Sequence, residues 1–179
     1  MRNVIVCSIL AIVSLNAYCE DAPKTLGSVA KVNDLLAVVK NTKAKVILLN
    51  FWGITCSPCI AEMPALTRAS ERFKDNPSVA FQGICVPADN TAKEKIVASA
   101  TEIIHQRRVT YRNMVWSGTG EALLEKFDIQ GTPYTILVSS EGKQLSEIKV
   151  PLDPDKAVDL IEKSIAKALE TDGAVEVKK

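Results

Sequence analysis

The chain has 179 residues, a length that suggests one domain burying about two-thirds of the surface that its unfolded form exposes. Its 22 Lys and Arg residues nearly balance its 21 Asp and Glu residues, so the formal net charge is +1. A charge so close to zero gives no electrostatic case for binding a phosphate backbone, and we expect no nucleic acid partner.

The N-terminus has a short basic start followed by an apolar stretch. This stretch runs from Val4 to Leu15, shorter than the roughly 20 residues of a membrane-spanning helix, and Ala17-Tyr18-Cys19 closes it. The layout is typical of a secretory signal, and we predict a signal peptide over residues 1–19. An uncleaved anchor and a lipoprotein signal ending at an acylated Cys19 are alternatives, so a membrane tether through this segment stays open. In every case we expect a periplasmic or secreted domain, in a compartment where disulfides persist.

Apolar periodicity predicts alternating helices and strands after this segment. In chain order we expect an extended leader over 20–28, a helix around 32–39, a buried strand over 46–52, a helix ending near 74, a strand over 79–86, a helix over 91–106, a weak strand over 109–115, a short helix over 121–127, strands over 134–138 and 143–150, and a last helix starting at 154. The glycine-containing turn between the last two strands predicts an antiparallel pair. Asp153 and Pro154 suit the cap and first position of the last helix.

This element order predicts the α/β class, with a mixed central sheet covered by helices on both faces. We expect one domain over residues 20–170 and a flexible C-terminal tail over residues 171–179.

Two thiols stand where the first buried strand meets the next helix. Cys56 and Cys59 have the C-x-x-C spacing that can close a tight disulfide, and Cys56 lies at the predicted helix N-terminus. The positive end of the helix dipole favours the thiolate, the form that attacks disulfides. The pattern predicts a dithiol redox centre that uses no cofactor besides the Cys56–Cys59 disulfide. Zinc is the alternative, but Cys85 and His105 lie far away in sequence and make a poor set of ligands.

The residues around this pair resemble the thioredoxin superfamily, in particular its TlpA/ResA branch of extracytoplasmic thiol–disulfide oxidoreductases. The resemblance covers roughly residues 28–170 and rests on Asn50-Phe51-Trp52, Cys56-Ser57-Pro58-Cys59, Glu62-Met63-Pro64 and Gly131-Thr132-Pro133. It implies a thioredoxin-like fold and an enzyme that reduces disulfides of partner proteins in the periplasm or cell envelope, as in cytochrome c maturation. The implied partners are disulfide-containing proteins and an upstream thiol electron donor, and we expect a monomer.

The resemblance also implies roles for single residues. Cys56 is the expected nucleophile, and Cys59 resolves the mixed disulfide that Cys56 forms. Glu62 shares a helix face with Cys59 and is expected to accept its proton, although an ordinary acid near a helix start is the alternative. Pro133 is the expected cis-proline, which places the backbone of Thr132 beside Cys56.

Residues that we expect to contact a partner surround the pair: Trp52, Thr55, Ser57, Pro58 and Thr132. Thr55 departs from the family pattern, which commonly has tryptophan there, and this leaves the partner preference open. Trp52 is also expected to pack beneath the active-site turn. Asn50 stands where thioredoxins keep a buried acid, and an amide satisfied by the backbone is the alternative for it. Cys85 lies in an apolar run and is expected to be a small buried hydrophobic residue.

Two other classes of function use thiols in a similar way. A thiol peroxidase of the peroxiredoxin type requires a proline upstream of its nucleophile, and no proline lies between Val46 and Thr55. A non-catalytic carrier of metal or thiols of the Sco type uses a C-x-x-x-C spacing, which the segment around Cys56 lacks. We therefore favour the oxidoreductase over both.

Overall fold

The computed structural model of the protein describes residues 27–29, 32–87 and 92–175. Within these ranges the elements are β1 (Gly27–Val29), α1 (Val32–Asn41), β2 (Val46–Trp52), α2 (Ser57–Arg72), β3 (Val79–Cys85), α3 (Lys93–Gln106), β4 (Arg112–Trp116), α4 (Gly120–Lys126), β5 (Tyr134–Ser139), β6 (Gln144–Ile148) and α5 (Pro154–Val175). The predicted signal peptide lies outside the described residues. No helix in the described ranges is long and apolar enough to cross a membrane.

The six strands form one sheet in the order β1-β4-β3-β2-β5-β6. The first four strands of this order are parallel, whereas β5 is antiparallel to β2 and β6 is antiparallel to β5. The prediction that the last two strands form an antiparallel pair is confirmed. Their turn contains Gly142 at φ 83°, a backbone conformation that side chains with a Cβ rarely adopt.

The two faces of the sheet carry separate hydrophobic cores because side chains alternate along each strand. From β2, Leu48 and Trp52 pack with side chains of α2, α3 and α5, while Leu49 and Phe51 pack with those of α1 and α4. All seven residues of β2 are buried, as a central strand covered on both faces requires. The predicted mixed sheet with helices on both faces is therefore confirmed.

Three parts of the fold differ from the expectation. An edge strand, β1, begins inside the predicted leader and pairs with β4. Its three residues are too few to show the alternation of side chains by which a strand is predicted. Strand β4 begins at Arg112, three residues later than expected. Helix α5 continues to Val175, so the predicted boundary between the domain and a flexible tail at residue 170 lies inside the helix. The hydroxyl of Thr171 donates to the carbonyl of Lys167 within that helix, so this polar residue does not end it.

The start of α5 is capped as predicted. Asp153 Oδ1 accepts hydrogen bonds from the backbone N–H groups of Asp155 and Lys156, both at 3.1 Å. The bond from Lys156 is the main reason why the pKa of Asp153 lies below its usual value. Pro154 occupies the first helical position, where no N–H group is needed.

Candidate active site

The C-x-x-C segment begins where β2 leaves the core and turns into α2. The turn is closed by the N–H of Cys56, which donates to the carbonyl of Gly53 at 3.1 Å. Cys56 is the N-cap residue of α2, and its Sγ accepts a hydrogen bond from the N–H of Cys59 at 3.3 Å. Pro58 fits the first turn because the N–H groups there have no partner inside the helix. The local sequence thus fixes both sulfurs at a helix N-terminus.

Cys56 and Cys59 are joined by a disulfide with an S–S distance of 2.04 Å and a Cα–Cα distance of 5.3 Å. The two residues differ in exposure, since Cys59 is 0% exposed and Cys56 is only half-buried. A partner can therefore approach Cys56 and not Cys59. This asymmetry is what the predicted order of nucleophile and resolving thiol requires.

The loop before β5 lies against the same turn. The Thr132–Pro133 peptide bond is cis, as predicted. Because β5 runs antiparallel to β2, with Tyr134 opposite Phe51, the residues that precede β5 lie beside those that follow β2. A Cβ atom added to Gly53 would lie 3.7 Å from Cys56 Cβ and 3.7 Å from Thr132 Oγ1. The fold thus places Thr132 next to Cys56, although 76 positions separate them.

Glu62 lies on the buried face of α2, one turn beyond Cys59, and is 5% exposed. Its Oε1 accepts a hydrogen bond from Nδ2 of Asn50 at 2.8 Å. Burial raises the pKa of Glu62 to about 7, and the bond from Asn50 opposes part of that rise. A carboxyl group with such a pKa can take up and release a proton near neutral pH.

A cavity of about 280 Å³ lies between Glu62 and the β5–β6 hairpin. Its lining consists of Glu62, Pro133, Tyr134, Thr135, Glu147, Ile148, Lys149 and Val150. Glu147 and Lys149 are exposed, so the cavity extends from the protein surface to the buried carboxyl group. Glu62 and the cis-proline loop thus border one space.

The predicted partner-contacting residues fall into two groups. Thr55, Ser57 and Pro58 are exposed around the disulfide, and Thr132 is half-buried beside it. Trp52 is 0% exposed, and its Nε1 donates to Oδ1 of Asn113 at 3.1 Å. The expected packing role of Trp52 is confirmed, but its place among the partner-contacting residues is corrected because it presents no surface to a partner.

Three buried polar residues near the site were not singled out from the sequence. Asn113 accepts the Trp52 bond, Thr135 accepts from Nδ2 of Asn50 at 3.0 Å, and Tyr111 lies close enough for the charge of Glu62 to add to the rise that burial causes in its pKa. Thr135 stands next to the apolar run of β5, and Asn113 directly precedes the apolar residues of β4, so a polar residue in a buried strand is the sequence signal for both. Asn50 itself bonds to side chains, so the alternative in which the backbone satisfies its amide is wrong for Nδ2.

The third described cysteine stays outside the disulfide, although its thiol forms a hydrogen bond with the backbone of Ile54 in the active-site turn. Cys85 is a free thiol, 0% exposed at the end of β3, and burial raises its pKa to about 12. Its expected character as a small buried hydrophobic residue is confirmed. His105 is exposed at the end of α3. Across residues 27–29, 32–87 and 92–175, no three His, Cys, Asp or Glu side chains are grouped so that they would hold a metal ion.

Comparison with known proteins gives a consistent result. The Redoxin family model matches residues 22–168. The thiol-disulfide oxidoreductase ResA of Bacillus subtilis is 30% identical over 107 residues, which is 59% of this chain and 53% of that protein. The chain spans only about half the length of the curated relatives it matches.

Two solved structures share the fold at comparable identity. The thioredoxin domain of a thiol-disulfide oxidoreductase from Bacteroides vulgatus has a TM-score of 0.55 and 25% identity, over 69% of this chain and 81% of that one. A thiol:disulfide interchange protein from Bacteroides sp. has a TM-score of 0.55 and 26% identity, over 69% of this chain and 75% of that one.

Proposed function

Because this chain belongs to the Redoxin family, we propose that it is a thiol–disulfide oxidoreductase. The observation that carries the proposal is the unequal exposure of the Cys56–Cys59 disulfide at the start of α2. The accessible sulfur lies beside the cis-proline loop, where an incoming chain can reach it. The resemblance to the thioredoxin superfamily, and to ResA in particular, is confirmed, and the relatives' activity supports the proposal for this chain.

The exchange begins with the reduced pair. The Cys56 thiolate attacks one sulfur of a partner disulfide, and the other partner sulfur leaves as a thiolate. Cys59 then loses its proton and attacks Sγ of Cys56, which breaks the mixed disulfide and frees the second partner thiolate. Two electrons pass to the partner, which becomes a dithiol, and Cys56 and Cys59 become the disulfide seen here.

Glu62 is the proposed acceptor of the Cys59 proton. Cys59 is buried, so bulk water cannot easily take that proton, whereas Glu62 follows it by one helical turn on the same face. The pKa of about 7 makes the carboxylate a suitable base near neutral pH, and the cavity lined by Glu62 offers a path for the proton to leave. Pro133 and Thr132 are proposed to hold the partner backbone beside Cys56.

We place this activity outside the cytoplasm, in the direction of partner reduction. The predicted signal peptide supports the location, because an oxidising compartment supplies disulfide-bonded partners. A second thiol protein must then return two electrons to the Cys56–Cys59 disulfide after each cycle. Maturation of cytochrome c is the role that the resemblance to the TlpA/ResA branch favours.

Trapping the mixed disulfide tests the exchange. With the Cys59→Ala variant, a disulfide-bonded probe such as insulin should be captured through Cys56, and a reductant should release it. The Cys56→Ala variant is the matched control, since it keeps the buried Cys59 and Cys85 thiols and should capture nothing. Equal capture by both variants, or by neither, would overturn the proposal.

Direction is tested by the reduction potential of the Cys56–Cys59 pair, measured by equilibration with a thiol–disulfide buffer. A value near that of thioredoxin, about −270 mV, supports a reductase, whereas a value near about −120 mV marks an oxidant. Steady consumption of hydrogen peroxide by the reduced protein would instead favour the peroxidase class.

A further inference from the structure

Asn50 occupies the centre of the buried polar contacts beneath α2. It is 0% exposed, and its Nδ2 donates two hydrogen bonds, one to Oε1 of Glu62 at 2.8 Å and one to Oγ1 of Thr135 at 3.0 Å. Asn50 and Thr135 face each other in the β2–β5 ladder. The Oδ1 atom of Asn50 is buried and has no hydrogen-bond partner among the described residues. The amide thus uses its donors and leaves its acceptor unused.

The proposed reaction requires two forms of Glu62, charged before it takes the Cys59 proton and neutral afterwards. A carboxylate only accepts hydrogen bonds, whereas a protonated carboxyl group also donates one. Nδ2 of Asn50 suits the charged form, and the unused Oδ1 is an acceptor that suits the neutral one. The terminal torsion of asparagine is broad and roughly two-fold, so a half-turn exchanges the two atoms without leaving an allowed rotamer.

Thr135 makes such a half-turn possible. Its hydroxyl accepts a hydrogen bond from Nδ2 in the orientation seen here. After a half-turn the same hydroxyl would donate to Oδ1, because a hydroxyl group is both donor and acceptor and its hydrogen rotates freely. The amide therefore keeps a partner at Thr135 in both orientations.

We propose that Asn50 is a positioning residue for Glu62. Its carboxamide donates to the charged carboxylate, turns over when Glu62 is protonated so that it accepts from the carboxyl group, and keeps the Thr135 hydroxyl as a partner in both states. This inference rests on the proposed function for its catalytic meaning, but the linkage itself belongs to the fold. The proton passes only from Cys59 to Glu62, and none is transferred to Asn50.

The other ionisable side chains that face Glu62 must be accounted for in the same experiment. Tyr111 approaches from the segment before β4, and its pKa is raised by burial and by the Glu62 charge. Glu147 of β6 and Lys149 after it line the shared cavity. Cys59 precedes Glu62 on α2 and is held in the disulfide when the protein is oxidised. Working with the oxidised protein therefore removes the thiol titrations of the pair.

The test is a pH titration of the oxidised full-length protein by nuclear magnetic resonance. The carboxyl carbon of Glu62, labelled with ¹³C, reports its protonation, and the side-chain ¹⁵N of Asn50 reports the amide. We expect the Asn50 signal to move with the same midpoint as the Glu62 carboxyl. An Asn50 signal that stays constant while Glu62 titrates overturns the inference.

Two variants at position 135 form a matched pair. Thr135→Ser keeps the hydroxyl and should keep the linked titration, whereas Thr135→Val keeps the shape, loses the hydroxyl and should abolish the movement of the Asn50 signal. The same titration in both variants overturns the role of Thr135. Because Thr135→Val keeps the shape of the side chain and Thr135→Ser removes only one methyl group, their comparison stands even where Asn50 variants fold poorly.

Asn50→Leu removes both donor and acceptor and keeps the number and branching of the side-chain heavy atoms. Losing a charge-assisted bond to the carboxylate should increase the proton affinity of Glu62 by about tenfold, seen as an upward shift of its titration midpoint. An unchanged midpoint contradicts the positioning role. None of these readouts uses a substrate, so a protein that fails to reduce insulin but shows the linked titration would reject the proposed function alone.

Discussion

Nε1 of Trp52 donates a hydrogen bond to Oδ1 of Asn113 across the sheet, at 3.1 Å, in the core beneath the active-site turn. Asn113 also donates from Nδ2 to the carbonyl of Tyr111 at 3.1 Å, so its amide is held at both ends. Gly83 belongs to β3, which lies between β2 and β4, and it pairs with Asn50 on one side and Asn113 on the other. The Asn113 side chain occupies the space above Gly83 that a Cβ would fill.

We predict that Gly83→Ala destabilises the protein by about 2 kcal/mol, because the added methyl group would overlap Asn113 Oδ1 and displace the Trp52 bond. Urea denaturation measures the change. Gly131→Ala is the matched control, since its Cβ would have no neighbour within 4 Å. Combining Gly83→Ala with Asn113→Ala should cost less than the sum of the single changes, and strict additivity would contradict this contact.

We predict that the folding stability of the oxidised protein falls as the pH rises from about 4.5 to about 7. The pKa of Glu62 rises from 4.5 to about 7 on folding, so the folded protein binds more protons than the unfolded chain across this interval. The stabilisation is fully present below the unfolded value and is lost as pH passes through the folded one. Its size is on the order of 3 kcal/mol.

The Glu62→Gln variant isolates this contribution. Glutamine keeps the volume and stays neutral, so the part of the pH dependence that belongs to Glu62 should disappear. Thermal or urea denaturation of both proteins at several pH values gives the comparison. Parallel curves for the two proteins would show that Glu62 titrates normally in the fold.

We predict that Cys85 resists alkylation in the native protein. The thiol is buried, and its pKa of about 12 leaves almost no thiolate at neutral pH. Mass spectrometry of the Cys85 peptide after treatment of the native oxidised protein with iodoacetamide should show less than about a few per cent of the label found after denaturation. Rapid native labelling would show that the end of β3 opens readily.

We predict that the exposed ion pairs between α2 and α5 contribute little to stability. Arg68 and Arg72 contact Asp155 and Glu162 at 2.8 Å and 2.7 Å, but both arginine side chains are about half exposed. Arg68→Gln and Arg72→Gln should each cost less than about 1 kcal/mol. Ile165→Ala, on the buried face of α5, should cost about 2 to 5 kcal/mol in the same urea measurement. If the arginine variants lost as much stability as Ile165→Ala, ion pairs rather than apolar burial would hold α5 in place.

Local features of the site could be predicted from the sequence because they depend on short-range patterns. The C-x-x-C spacing after a buried strand placed Cys56 and Cys59 at the start of α2, and Asp153-Pro154 marked the start of α5. The cis bond before Pro133 came from the family resemblance, since no local pattern specifies it.

Contacts that depend on strand register could not be predicted in this way. Which residue faces Asn50 is decided by the pairing of β2 with β5, across 85 positions of sequence, and the Trp52–Asn113 bond spans β3 in between. Strand β1 has three residues, too few to show a period, and its place in the sheet is given by its pairing with β4. Burial of Trp52 also follows from the tertiary fold, which covers the end of β2 with helices.

The β2–β5 ladder has a consequence for the fidelity of folding. A slip of two residues would keep every apolar side chain on its own face, yet it would shift Pro133 by about 7 Å relative to Cys56. In either slipped alignment Asn50 would face an apolar residue, Pro133 or Leu137, and its buried amide would lose the Thr135 hydroxyl. That loss penalises misaligned chains. The Asn50–Thr135 pair, in which Asn50 bonds Glu62, therefore also selects the one alignment in which the two halves of the site meet.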